Sequence, residues 1–170
     1  MTAFEVDFKK EFLLNDEVIV VTGVTVILGD SFVNGIAQAG GNVGILGGNE
    51  KVANKRVADI KCNGGEAIAL IADIINEDQL LAAKEKVLVN YGKFDGLVNG
   101  AGGNITEAVI LPNDDIFNLN FDVLKEVMNL NLYGSLLPTQ IFGEAIKRRC
   151  ERKSEEINLI ESKGTIRFRN

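Results

Sequence analysis

The stretch VIVVTGVTVILGD, Val18 to Asp30, decides the fold of this 170-residue chain. Val18 to Thr22 are five β-branched residues in succession, which predicts a strand buried on both faces. Gly23 ends that run, and a helical pattern follows over Asp30 to Ala39. A strand, a glycine turn and a helix N-terminus in this order bring backbone amides and the positive end of a helix dipole to one point. That arrangement suits a pyrophosphate, the centre of a dinucleotide. Alone the pattern is weak, because turns that bind nothing also use glycine.

Working outward, the same two textures alternate. Strand-like runs fall at Asn42 to Leu46, Ala67 to Ile71, Gly96 to Asn99 behind Asp95, and Ile157 to Ile160. Helical spacing marks Ser31 to Ala39, Lys51 to Asn63, Glu77 to Tyr91 and Asn120 to Arg149. Strands alternating with helices imply right-handed crossovers and a parallel sheet covered on both faces. The expected class is therefore α/β, a doubly wound (Rossmann-type) parallel sheet, with residues 1–170 as one domain. One helix is legible in detail. Asn76 is placed to cap it, Glu77 and Asp78 suit its first turn, and Gly92 closes it. Leu80, Ala83, Val87 and Tyr91 share its inner face, with Lys84 and Glu85 turned outward.

Composition removes whole classes of chemistry. At 46% hydrophobic and 25% charged, the chain has enough apolar material for a core and is no disordered tail. It contains no His, which excludes imidazole general bases, Ser-His and Cys-His nucleophile pairs and His-based zinc sites. Cys62 and Cys150 are too few for a disulfide framework, so a reducing compartment is the default. No run approaches ~20 apolar residues, and the acids in MTAFEVDFKKEF argue against a secretory signal. A cytoplasmic protein without membrane partners is expected. The net charge of −6 argues against nucleic acid. The segment from Lys147 to Asn170 does hold eight basic residues against four acidic ones. Their interleaved signs fit a solvated helix end and edge strand better than a phosphate-binding face.

Further motifs sharpen the reading: NVGILGGNE (42–50), AIALIADI ending in Asp73 and Ile74, LVNGAGG (97–103) and MNLNLYGSLLPTQ (128–140). With Val20 to Gly29 they follow the order and spacing of the short-chain dehydrogenase/reductase family, which residues 1 to 150 resemble. The combination TGxxxxxG, DI, NGAG and NLxG is far more specific than any one motif. A flavodoxin-like or receiver-type domain would not carry NGAG followed by NLxG. Within the family, ILGGNE, GGEAIAL, VNGAGGN and LLPTQIFG look most like bacterial members described as mannonate or fructuronate oxidoreductases.

The resemblance implies NAD or NADP as cofactor. Thr22, Gly23, Val26 and Gly29 would form the phosphate turn, Asp73 and Ile74 would lie beside the adenine, and Asn99, Gly100, Ala101 and Gly102 would close the cleft. Asn131 matches the position whose counterpart kinks its helix and holds a water in the proton relay. Each has a plainer alternative, since glycines and Asn99 also serve tight turns and Asn131 can simply satisfy backbone. Family members commonly pair through the helix that carries Asn131 and the one after it, so the resemblance implies a homo-oligomer, for which Phe121, Leu124, Val127, Met128, Leu132 and Leu136 offer an apolar face.

Three departures stand out. Val26 occupies the place of the middle family glycine, adding bulk where backbone should approach the pyrophosphate. Gly47, Gly48 and Asn49 supply neither an acid for a ribose 2′-hydroxyl nor an arginine for a 2′-phosphate. The family also uses a Ser, a Tyr and a Lys four residues beyond the Tyr. Here Tyr91 and Tyr133 are followed at that distance by Asp95 and Leu137. Ser162 meets the catalytic Ser position at the end of the fifth strand only with a slipped register. The chain is thus expected to be the cofactor-binding half of a reductase, cut or diverged near that strand, without hydride-transfer turnover of its own. The tail SKGTIRFRN suggests a hairpin over the exposed edge. Two functions follow: an NAD(P)-dependent oxidoreductase acting on a sugar acid, or an inactive dinucleotide-fold remnant that binds nucleotide or associates with partners.

Overall fold

The computed structural model describes residues 12–24, 27–112 and 115–162. Its strands are β1 (Val18–Thr22), β2 (Asn42–Gly47), β3 (Glu66–Ile71) and β4 (Gly96–Val98). Its α-helices are α1 (Ile27–Gln38), α2 (Glu50–Cys62), α3 (Glu77–Tyr91), α4 (Phe121–Met128) and α5 (Gly134–Ser162), with a π-helical segment, Asn129–Tyr133, joining the last two. The sheet is parallel in the order β3-β2-β1-β4. The chain winds outward from β1 to β3 and then returns to place β4 on the other side of β1. That reversal opens a crevice at the carboxyl ends of β1 and β4, the usual ligand position in such sheets.

Helices cover both faces, which explains the lack of polar alternation in the strands. Val18, Val20, Leu46 and Leu70 pack on one face with Leu80, Ala83 and Val87 of α3 and Ile141 and Phe142 of α5. Val21, Val43, Ile45 and Ala67 pack on the other with Val33 of α1 and Ala53 and Ile60 of α2. A register of one residue therefore decides which helix pair each side chain meets. At the amino edge of the sheet, Asp95 ties the layers together. Its carboxylate accepts from the Val18 amide at 2.8 Å and pairs with Lys93 at 3.5 Å and with Arg149 of α5.

The ends of α3 are those its sequence dictates: Asn76 Oδ1 accepts from the Gln79 amide at 3.1 Å, and Gly92 takes the left-handed conformation at φ 69°. Lys84 is a correction. Its side chain is only 17% exposed, laid along the α3–α5 seam with its ammonium 3.5 Å from Glu144.

A larger correction concerns the end of the chain. Residues 157–160 are helical, continuing α5 through Ser162 instead of forming a fifth strand. A four-residue run such as INLI, three of whose residues are apolar, cannot by itself distinguish a strand from a helical turn. Ser162 accordingly falls in the last helical turn and not at a strand end. Lys147 and Arg148 pair along α5 with Glu151 and Glu144, which fits a solvated helix face. Val26 and the suggested hairpin over residues 163–169 lie outside the described residues. Among the described residues no helix is long and apolar enough to cross a membrane.

Candidate functional site

Because the strands are parallel and in register, Thr22, Gly47, Ile71 and Val98 end together at one edge. The segments that follow them build a cleft of about 380 Å³ lined by Gly23, Gly47, Gly48, Ala72, Asp73, Ile74, Ala101, Gly102 and Leu130. That volume lies within the ~300–1,000 Å³ range of small-molecule sites. Of the residues the motifs single out, Gly23, Asp73, Ile74, Ala101 and Gly102 line it, whereas Thr22, Gly29, Asn99, Gly100 and Asn131 are not in its lining. Gly47, Gly48 and Leu130 join them here.

The turn after β1 is held from beneath. Thr22, fully buried, accepts a hydrogen bond from the Ala101 amide at 3.2 Å through its hydroxyl oxygen. Gly23 sits at φ +70°, and a Cβ on it would lie 2.3 Å from the Cα and N of Ala101. A Cβ on Gly100 would likewise lie 2.7 Å from the Thr22 carbonyl oxygen, and one on Gly29 2.7 Å from that of Gly23. These glycines are thus required by the approach of chain to chain, so that the turn, the 100–102 segment and the first turn of α1 interlock. Any room they leave for a phosphate follows from that packing.

Asp73 and Ile74 form the opposite wall. The Asp73 amide donates to Gln79 Oε1 at 2.7 Å, and Asp73 Oδ1 accepts from the Ile75 amide at 3.1 Å. Ile74 presses on the helix junction, where a Cβ on Gly134 would come within 2.5 Å of its Cδ1. Gly134 is therefore glycine because the Ile74 wall of the cleft leans on it.

Asn131 lies in the π-helical segment Asn129–Tyr133. Its amide is fully used: Nδ2 donates to the Gly103 carbonyl at 2.7 Å and to the Val127 carbonyl at 2.9 Å, while Oδ1 accepts from the Gly103 amide at 3.1 Å. The Asn131 carbonyl in turn accepts from the Ser135 hydroxyl at 3.0 Å. The side chain therefore clamps the segment after β4 to the π turn. Asn99 does a similar job further along, donating to Thr139 Oγ1 at 2.8 Å. Thr139 escaped the sequence reading because only the fold brings residues forty positions apart together.

The cleft fits an adenine nucleotide. Ala72, Ile74 and Leu130 give an apolar slot, and Gly47 and Gly48 form a rim on which an added Cβ would meet nothing within 4 Å. The first turn of α1 packs on Gly23 through Gly29, which brings a helix N-terminus, where anions bind, beside the cleft.

A doubly wound parallel sheet with such a cleft at its switch point defines a dinucleotide-binding type of α/β protein. The chain belongs to the short-chain dehydrogenase family: the family model described as short chain dehydrogenase matches residues 17–165. An uncharacterised oxidoreductase of Haemophilus influenzae is 31% identical over 141 residues, covering 77% of this chain and 50% of the relative. The uncharacterised oxidoreductase UxuB of Bacillus subtilis is 30% identical over 135 residues, covering 75% and 49%. Among solved structures, a protein described provisionally as a D-mannonate oxidoreductase from Haemophilus influenzae, with bound NAD, superposes with a TM-score of 0.74 at 27% identity. That match covers 81% of this chain and 53% of the other. The chain spans about half the length of the curated relatives it matches.

Proposed function

We propose that this chain is the dinucleotide-binding part of an NAD- or NADP-dependent oxidoreductase whose substrate is a sugar acid. The observation that carries the cofactor half of this reading is the cleft at the β1/β4 switch point, where Gly23 and Gly102 face an apolar slot walled by Ile74 and Leu130. A nicotinamide dinucleotide, when bound, supplies hydride-transfer chemistry. The residues described would hold its adenosine half, with Asp73 and Ile74 beside the base, and Gly23 with the first turn of α1 at the phosphates. Asn131 and Asn99 position the segment 99–103 that borders the cleft. The sugar-acid assignment rests on likeness to the relative described as a mannonate oxidoreductase.

The same reading includes self-association. Phe121, Met128, Leu132 and Leu136 are exposed along α4, the π turn and the first turn of α5, with Leu124 and Val127 half-buried beside them. An apolar face of that extent costs ~25 cal/mol per Å² left in water and favours a second copy over it. Light scattering at micromolar concentration tests this, with a monomer as the contrary result. The alternative, a module that binds nucleotide or partners without turnover, is favoured by one feature of this stretch: neither Tyr91 nor Tyr133 has a Lys four residues on.

Calorimetric titration with NAD tests the cofactor reading. Gly47→Trp should abolish the binding seen in the parent and leave the unfolding transition in place, because that position opens into the cleft without touching other atoms. Binding that survives Gly47→Trp places the nucleotide elsewhere.

A further inference from the structure

The rim of the cleft shows how the nucleotide would be read at its ribose 2′ position. In doubly wound folds an acid near the end of the second strand takes the 2′-hydroxyl of NAD, and an Arg takes the 2′-phosphate of NADP. Here β2 ends in Gly47, followed by Gly48 and Asn49. The two glycines offer no side chain. Asn49 offers one that is already committed, since its Oδ1 caps α2 by accepting from the Val52 amide at 3.1 Å. The guanidinium on α2, Arg56, is turned to α1, where it pairs with Asp30 at 3.0 Å with only 16% of its side chain exposed. Glu50 and Lys51, which open α2, are both exposed and opposite in sign, so among the described residues the rim presents neither an acid alone to a diol nor a cation alone to a phosphate.

Resting on the reading of this cleft as a nucleotide site, we infer that the chain does not discriminate NAD from NADP. It holds the adenosine through Ile74 and the apolar slot, and leaves the 2′ substituent in solvent above Gly47 and Gly48. Discrimination at such a site normally comes from one charge-assisted contact or one like-charge clash, and neither is built here. The glycines have a second consequence. Neither takes a positive φ, and a Cβ on either meets nothing within 4 Å, so a reader side chain can be added without strain. The two substitutions should act in opposite directions: Gly48→Arg provides a cation for the 2′-phosphate, and Gly47→Asp provides an acceptor for the diol that also repels the phosphate.

The experiment is calorimetric titration of the full chain with NAD and with NADP at ~0.15 M salt, where long-range charge effects are screened. The parent should bind both with dissociation constants within about threefold of each other. Gly48→Arg should tighten NADP about tenfold with little change for NAD, and Gly47→Asp should weaken NADP about tenfold relative to NAD, the scale of one charge-assisted contact. A parent that prefers either nucleotide tenfold or more overturns the inference and leaves the cleft assignment standing, with the exposed Glu50 the first candidate reader for NAD and the exposed Lys51 for NADP. A parent that binds neither overturns the cleft assignment, and the inference with it. Both variants unfolding like the parent in denaturant verifies that any shift comes from the rim.

Discussion

Substituting Gly23 by Ala should destabilise the chain strongly even with no nucleotide present. The new Cβ would stand 2.3 Å from both Cα and N of Ala101 and 2.4 Å from the carbonyl carbon of Gly100, all backbone atoms that cannot swing aside. Holding an Ala at φ +70° costs about 1–2 kcal/mol, and forcing a methyl into a filled space typically adds about 1–3 kcal/mol. The expected loss is thus about 2–5 kcal/mol, a large share of the stability of a small domain. Denaturant unfolding followed by far-ultraviolet circular dichroism reads it as a shift of midpoint at unchanged slope. Gly47→Ala is the control, since its Cβ meets nothing within 4 Å, and it should unfold within about 0.5 kcal/mol of the parent. If Gly23→Ala unfolds with its control and fails only in binding nucleotide, the interlock of the turn with the 100–102 segment is refuted, and the glycine is there for the ligand.

Other outcomes follow from the same contacts. Thr22→Val keeps the shape of a fully buried side chain but strips the Ala101 amide of its acceptor; it should cost about 1–3 kcal/mol in the same assay. Asn131→Ala removes both bonds to Gly103 and the one to Val127, and should cost about 1–2 kcal/mol while speeding hydrogen exchange at the Gly103 amide. Burial, reinforced by the Glu66 carboxylate, raises the Tyr91 hydroxyl above its ordinary value of 10.0. The neutral phenol therefore contributes stability that is fully present below pH 10 and is lost as pH rises through the folded-state value. With two tyrosines and no tryptophan in the chain, Tyr133→Phe leaves one ultraviolet-titrating phenol, whose midpoint should lie above that of the unfolded protein.

How far the sequence could be read varied from one element to the next, for physical reasons. The strands β1 to β3 were legible because residues buried on both faces have no polar alternation to hide them. The ends of α3 were legible because Asn76 and Gly92 act on backbone within their own turn. Residues 157–160 were misread because so short a run has no period of its own, and they belong to α5. Lys84 was misread because a helical wheel shows one helix, while the seam with Glu144 belongs to two.

The site shows the same division. Motif spacing located Gly23, Asp73, Ile74 and the 99–102 segment. It gave no hint that Ala101 fills the space over Gly23, that Ile74 leans on Gly134, or that Thr139 takes the amide of Asn99. Those are contacts across the fold, and they convert glycines that look like ligand-binding residues into residues that let two segments touch.

The central claim is that a dinucleotide sits in the cleft at the carboxyl ends of β1 and β4, and hydrogen exchange with and without saturating NAD tests it most directly. The account predicts slowed exchange at Gly23 and Val24, at Gly47 and Gly48, at Ala72 to Ile74 and at Ala101 and Gly102, with no change along the groove between α3 and α5 near Lys84 and Arg149. Saturable binding that protects the α3–α5 groove and leaves the four β-strand ends unchanged would contradict it.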